Sequence, residues 1–177
     1  MNRTALAMLA VLGSLSVSTS AQAHATLEQQ EAAAGSTYKA VVRVPHGCEG
    51  EATLKVRIQI PEGFINVKPQ PKPGWTLETV KGAYAKTYDY YGTALSEGVR
   101  EINWTGELLD EHYDEFVFRG TLDKSLPTDK MLYIPVVQEC ATGTERWIEI
   151  PAEGQDPHDL EGPAPGVMIV PAKQSAH

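Results

Sequence analysis

Short segments with a two-residue hydrophobic period constrain the fold of this chain more than any other feature. From Thr53 to Ile60, the apolar residues Leu54, Val56, Ile58 and Ile60 alternate with polar ones, which is typical of a strand with one buried face. No stretch carries an apolar stripe of helical spacing over three turns. We therefore predict an all-β fold, an antiparallel β-sandwich or barrel. The candidate strands are Tyr38–Val44, Thr53–Ile60, Phe64–Val67, Trp75–Lys81, Lys86–Tyr91, Val99–Thr105, Glu115–Leu122, Met131–Glu139 and Arg146–Ile150.

The first 23 residues have the pattern of a signal peptide. The positive start Met1-Asn2-Arg3 precedes an apolar stretch from Ala5 to Val17, and Ala21-Gln22-Ala23 offers the small residues that signal peptidase requires. The apolar stretch is shorter than the roughly 20 residues that a membrane span needs. We expect cleavage between Ala23 and His24, and a periplasmic or secreted mature protein without a membrane span.

The mature chain divides into two parts by composition. Residues 24–150 contain the candidate strands and form the predicted β-sandwich domain, and residues 151–177 form an irregular extension rich in proline and glycine. Within the extension, Val167–Val170 has the character of one edge strand. The leader holds one of the 15 Lys and Arg residues, so the mature chain has a net charge near −9. This charge argues against nucleic acid or an anionic membrane as a partner and favours a cation.

Two cysteines, Cys48 and Cys140, and the lack of a CxxC motif exclude a zinc ribbon and an iron–sulfur cluster. In the oxidising compartment that the leader implies, we expect the two cysteines to form a disulfide. This disulfide closes a loop of about 90 residues, and the chain-entropy model attributes roughly 4–5 kcal/mol of stability to it.

His24 gains two metal-binding nitrogens as the first residue of the mature chain. Its free amine and its imidazole Nδ1 can bind one ion in a six-membered chelate ring. Cu(II) binds such donors most tightly among the divalent first-row metals. Thr26 and Leu27 can pair as a short edge strand and fix the terminus, and Glu31 can return as a carboxylate ligand.

A turn after the strand Tyr38–Val44 carries two further candidate ligands, His46 and Glu51. The expected disulfide fixes this turn to the far end of a later strand, which brings His46 to the same edge of the sandwich as Trp147.

The remaining residues disfavour other copper sites and the common catalytic motifs. Only Met131 and Met168 are left in the mature chain, so a Met-rich Cu(I) site is not expected. A blue-copper centre needs a free thiolate, and both cysteines are expected to be bridged. The sequence has no nucleophile elbow, no Gly-rich phosphate loop and no HExxH motif.

A set of short motifs runs from the start of the mature chain to its tail. They include His24-Ala25-Thr26, Arg43-Val44-Pro45-His46-Gly47-Cys48, Ile60-Pro61-Glu62-Gly63, Lys72-Pro73-Gly74-Trp75, Val137-Gln138-Glu139-Cys140, Glu145-Arg146-Trp147 and Gly154-Gln155-Asp156-Pro157-His158. With these motifs the chain resembles the YcnI-like family of secreted copper-binding domains.

The resemblance implies an immunoglobulin-like or cupredoxin-like β-sandwich with one Cu(II) per chain, held by a histidine brace at the mature N-terminus. Here that residue is His24, and Trp147 matches a tryptophan that lies close to the metal. Family members that lack the His-Gly-Cys turn carry an acidic residue there, whereas this chain has His46 and Gly47. The third ligand therefore stays open between His46, Glu31 and Glu51.

The function implied is copper homeostasis or trafficking. We expect a non-enzymatic periplasmic protein that buffers Cu(II) or passes it to a periplasmic copper chaperone or a cuproenzyme. The alternative is a histidine-brace oxidase or monooxygenase that acts on a polysaccharide or another substrate. A tryptophan beside the metal hinders access of substrate and oxygen, which favours the binding protein.

Overall fold

The computed structural model describes residues 24–172, so the predicted signal peptide and residues 173–177 lie outside this range. Within it the chain forms strands and one short 3₁₀ turn, Pro157–Asp159, and no α-helix, which confirms the predicted all-β class. No helix in this range has the length and apolar character needed to cross a membrane. The strands are β1 (Thr26–Leu27), β2 (Glu31–Ala33), β3 (Thr37–Val44), β4 (Thr53–Gln59), β5 (Phe64–Pro69), β6 (Thr76–Tyr90), β7 (Thr93–Leu108), β8 (Asp114–Leu122), β9 (Lys130–Tyr133), β10 (Val136–Cys140), β11 (Thr144–Trp147) and β12 (Gly166–Val170).

These strands form two larger sheets and one smaller sheet. The order is β1-β3-β8-β5 in the four-stranded sheet, β11-β10-β4-β7-β6 in the five-stranded sheet, and β2-β12-β9 in the three-stranded sheet. All described pairs are antiparallel except β2 with β12, which are parallel. Strand β1 is an edge of the four-stranded sheet, and β11 is an edge of the five-stranded sheet.

All three sheets contribute to one apolar core. Alternate residues of β3 and β8 point inward, as expected for strands with one face against a core. The largest buried side chain is Trp104 of β7, which is fully buried and packs edge-on against Phe116 of β8. Residues that line this core include Tyr38, Val42, Val56, Ile58, Ile102, Phe118, Ile134, Val167 and Ile169.

The alternation in β4 holds for Val56 and Ile58, which are fully buried, but it is wrong for Leu54. Leu54 is 38% exposed and Thr53 is buried instead. The register of β4 against β7 shifts between Thr53 and Lys55. A bulge of this kind adds one residue and turns the side chains before it to the opposite face.

Three predicted strand boundaries also differ from the structure. The segments Trp75–Lys81 and Lys86–Tyr91 belong to one strand, β6, because register shifts within its pairing to β7 absorb the interruption. The segment Met131–Glu139 is instead divided between β9 and β10. The division falls at Pro135, which has no N–H to donate to a ladder. The predicted strand Arg146–Ile150 ends at Trp147.

Strand β12 lies at the centre of the three-stranded sheet, between β2 and β9, although the sequence indicated an edge strand. Its inward residues Val167 and Ile169 are buried in the core. The segment therefore contributes to the same core as the strands before residue 150.

The predicted disulfide between Cys48 and Cys140 is confirmed, with Cα atoms 6.1 Å apart. Cys48 is almost fully buried. Its N–H donates to the carbonyl of Glu51, and the N–H of Glu51 donates to the carbonyl of Cys48. The bridge thus fixes a closed turn after β3 to the end of β10.

Candidate metal site

The segment before β1 anchors His24 at one edge of the sandwich. Ala25 and Leu27 are each only 2% exposed and belong to the core, whereas Thr26 points outward. Leu27 pairs with Val42 of β3. Two buried side chains within three residues therefore hold the backbone that carries His24.

The imidazole of His24 packs against the indole of Trp147. The ring centroids are 5.2 Å apart and the planes are inclined at 60°, an edge-to-face arrangement. Because His24 precedes the edge strand β1 and Trp147 ends the edge strand β11, the contact joins the edges of the two larger sheets.

The indole of Trp147 has a polar atom without a hydrogen bond. Its side chain is 6% exposed, and its Nε1 is buried with no hydrogen-bond partner among the described residues. An unpaired buried donor costs about 1–3 kcal/mol. The N–H of Trp147 is thus a buried donor without an acceptor among the described residues.

A cavity of about 380 Å³ also borders His24, and Trp147 is not among the residues that line it. His24, Gln30, Met131, Tyr133 and His158 are its polar or sulfur-containing residues, together with Thr26. The rest of its lining is apolar or glycine, and no carboxylate borders it. The 3₁₀ turn that carries His158 is capped by Asp156, whose carboxylate accepts from the N–H of His158 at 2.9 Å.

His46 lies in the turn after β3, and a hydrogen bond from a buried side chain holds its backbone. The buried side chain of Gln138 donates to the carbonyl of His46 at 2.6 Å and to Thr53 Oγ1 at 2.7 Å. The Nδ1 of His46 is 2.6 Å from the carbonyl of Gly47, so it carries the proton and donates. The Nε2 of His46 is then the nitrogen with a lone pair for a metal.

The register of β1 against β3 relates His46 to His24. Thr26 is opposite Arg43, and two further steps along the same register reach His24 and Pro45. His46 is the next residue, so both histidines lie beyond the paired residues toward the same end of the β1–β3 pair.

Glu51 has a structural role in the turn. Its carboxylate accepts from the N–H and hydroxyl of Thr142, at 2.8 and 2.7 Å, and from the N–H of Gly143 at 3.2 Å. The hydrogen bonds from Thr142 are the main reason that the pKa of Glu51 is lowered. A metal at this carboxylate would compete with all three bonds.

Glu31 begins β2, where it is exposed and lies opposite Met168 of β12. It is adjacent in sequence to Gln30, which lines the cavity. Among the described residues, no three His, Cys, Asp or Glu side chains are grouped closely enough to hold a metal. The structure thus brings His24 into contact with Trp147. Glu51 and Glu31 each lie in different surroundings, in the turn at Thr142 and on β2 respectively.

The donor set at His24 fits copper by its chemistry. A processed His24 supplies an amine and an imidazole nitrogen, both donors that Cu(II) favours. Met131, Tyr133 and His158 were not predicted as neighbours of His24, because strand pairing and the path of the tail bring them to the cavity.

Two facing sheets with a shared core define an immunoglobulin-like β-sandwich. A solved structure described as an uncharacterized protein from Nocardia farcinica with an immunoglobulin-like fold is similar, with a TM-score of 0.59 and 21% sequence identity. The match covers 83% of this chain and 98% of that chain.

The family described as "Domain of unknown function (DUF1775)" matches residues 24–169, and the chain belongs to this family, which includes YcnI. No curated protein matches the sequence significantly.

Proposed function

We propose that the mature protein, beginning at His24, is a periplasmic copper-binding protein that buffers one Cu(II) or delivers it to a chaperone or cuproenzyme. The observation that carries the proposal is the contact of the His24 imidazole with the buried indole of Trp147. A histidine at a processed terminus is useful as a chelate only if its backbone is held. The buried Ala25 and Leu27 provide that restraint.

The chelate gains affinity because both donors belong to one residue. The anchored backbone reduces the entropy lost when the ion binds. The amine and the imidazole must both be unprotonated to bind, so affinity decreases as the pH falls. The acidic mature chain favours the approach of a cation by long-range attraction.

His46 is the third donor that we favour. Its backbone is fixed by Gln138, and its Nε2 has an available lone pair. His46 also follows β3 at the end where the pairing with β1 runs toward His24. Glu51 is the weakest candidate because the turn at Thr142 already uses its carboxylate. Glu31 remains a candidate from β2.

Binding without turnover fits this site better than oxidase chemistry. Trp147 covers one side of the His24 imidazole and is itself almost fully buried. A substrate would have to approach from the remaining sides.

A titration of mature protein with Cu(II), followed by tryptophan fluorescence, tests the proposal. We expect one equivalent to quench the emission of Trp147, and His24→Ala to abolish the tight phase. His112→Ala is the matched control, because His112 lies on an exposed loop and contacts Glu111. If both variants lose binding equally, or if both keep it, a site at His24 is contradicted.

A further inference from the structure

The two methionines of the mature chain are direct cross-strand partners. Met131 of β9 is opposite Met168 of the neighbouring strand β12 in an antiparallel pair. Residues in such positions point to the same face, with Cβ atoms about 4.5–5.5 Å apart. Two methionines that are 37 residues apart in sequence therefore begin from neighbouring positions on one face of the sheet.

The face that carries them points away from the core. Val167 and Ile169 of β12 are buried, and Leu132 of β9 packs against the same core. Met131 and Met168 alternate with these residues, and Met131 is 37% exposed. The pair is therefore accessible to an ion from solvent and is not needed to fill the core.

Met131 also borders the cavity beside His24. A Cβ built on Gly166 would lie 2.5 Å from the terminal methyl of Met131, so the thioether end rests directly on that glycine. His158 borders the same cavity on its capped turn. Met131 thus belongs both to the cavity that His158 borders and to the cross-strand pair with Met168.

We propose that Met131, Met168 and His158 form a Cu(I) site next to the His24 cavity. Thioethers select Cu(I) over harder ions, and the cavity lining offers no carboxylate. Glu31 of β2 pairs with Met168 from the side opposite Met131, and it places a negative charge next to the methionine pair. The site extends the proposed copper function to the reduced ion, but it does not use the amine of His24.

Methyl NMR of methionine-labelled mature protein tests the proposal directly. Leader cleavage removes Met1 and Met8, so the mature chain gives two methionine methyl signals. We expect both signals to shift with one equivalent of Cu(I) under anaerobic conditions. If neither signal moves, the pair serves packing alone and the proposal is wrong.

Competition with a chromophoric Cu(I) chelator measures the contribution of each donor. Loss of an outer-shell partner alone costs 10–100-fold in metal affinity, so we expect the double variant Met131→Leu/Met168→Leu to weaken Cu(I) binding by at least about tenfold. Leucine keeps the side-chain volume. His158→Asn should also weaken binding, whereas His112→Asn, at a position that does not line the cavity, should not. An unchanged affinity in the double variant overturns the proposal.

A variant with one additional glycine before His24 separates this site from the Cu(II) chelate. It should lose tight Cu(II) binding and keep Cu(I) binding with both methyl shifts. If the extension abolishes Cu(I) binding as well, the reduced ion binds at His24 and the methionine site does not exist. If Cu(II) binding survives the extension while the Cu(I) results hold, only the His24 proposal fails.

Discussion

Removal of the Cys48–Cys140 disulfide should destabilise the protein strongly. The bridge joins residues 92 positions apart, and the chain-entropy model assigns about 4–5 kcal/mol to a loop of that length. Small domains are stable by only about 5–15 kcal/mol, so the bridge supplies a large part of the total. The double variant Cys48→Ala/Cys140→Ala removes it without leaving a free thiol.

Equilibrium urea unfolding, followed by fluorescence and circular dichroism, measures the free energy of unfolding of both proteins. Wild-type protein with reduced and alkylated cysteines is the second arm, since it removes the bridge without changing the sequence. We expect a loss of about 4–5 kcal/mol in the double variant. A loss below about 1 kcal/mol would refute the loop-closure reasoning.

The same variant separates the roles of the turn and the terminus. The bridge fixes the turn with His46, whereas the anchors of His24 are Ala25 and Leu27. If His46 is the third donor, Cu(II) affinity should fall in the double variant below the temperature at which it unfolds. An unchanged affinity would favour Glu31 as the third donor.

Three further predictions concern single side chains. Burial, assisted by the charge of Glu28, raises the pKa of Tyr38 to about 12. Its neutral form therefore contributes stability below about pH 10 that is lost as the pH rises towards 12, and Tyr38→Phe should flatten this alkaline decline in thermal unfolding experiments. The lowered pKa of Glu51 has the opposite consequence, because the carboxylate contributes stability above its unfolded pKa of about 4.3 and loses it as the pH falls below that value. The stability difference between wild type and Glu51→Gln should then shrink in acid, and a difference that is constant from pH 7 to 3 would contradict the turn hydrogen bonds. Trp147→Phe should keep one Cu(II) per chain but lose most of the copper-dependent quenching, and a variant quenched as strongly as wild type would show that Trp147 is not beside the ion.

Sequence patterns predicted those parts of the fold that depend on local alternation. The alternation of apolar and polar residues predicted the burial of Val56 and Ile58. The compartment implied by the leader was enough to predict the disulfide. The bulge that exposes Leu54 has no local signal, because it arises from the register between β4 and β7. The predicted strand Met131–Glu139 ran through Pro135, and the change of sheet between β9 and β10 depends on distant partners.

The candidate site was predictable where one residue carries the chemistry. His24 follows from the cleavage pattern, and Trp147 follows from the family resemblance. The pairing of Met131 with Met168 was not predictable, since it requires β12 to lie between β2 and β9. Two methionines were too few to predict a Met-rich Cu(I) site, whereas their cross-strand pairing supports the smaller Cu(I) site that we propose.

Calorimetric titration of Cu(II) into mature protein and into the variant with one glycine before His24 tests the central claim most directly. The N-terminus of each protein is first verified by mass spectrometry. The extension keeps every side chain and moves only the amine away from the imidazole. We predict one tightly bound Cu(II) per mature chain and loss of that tight site in the extended variant. Equal stoichiometry and affinity in the two proteins would contradict a copper site at the processed terminus.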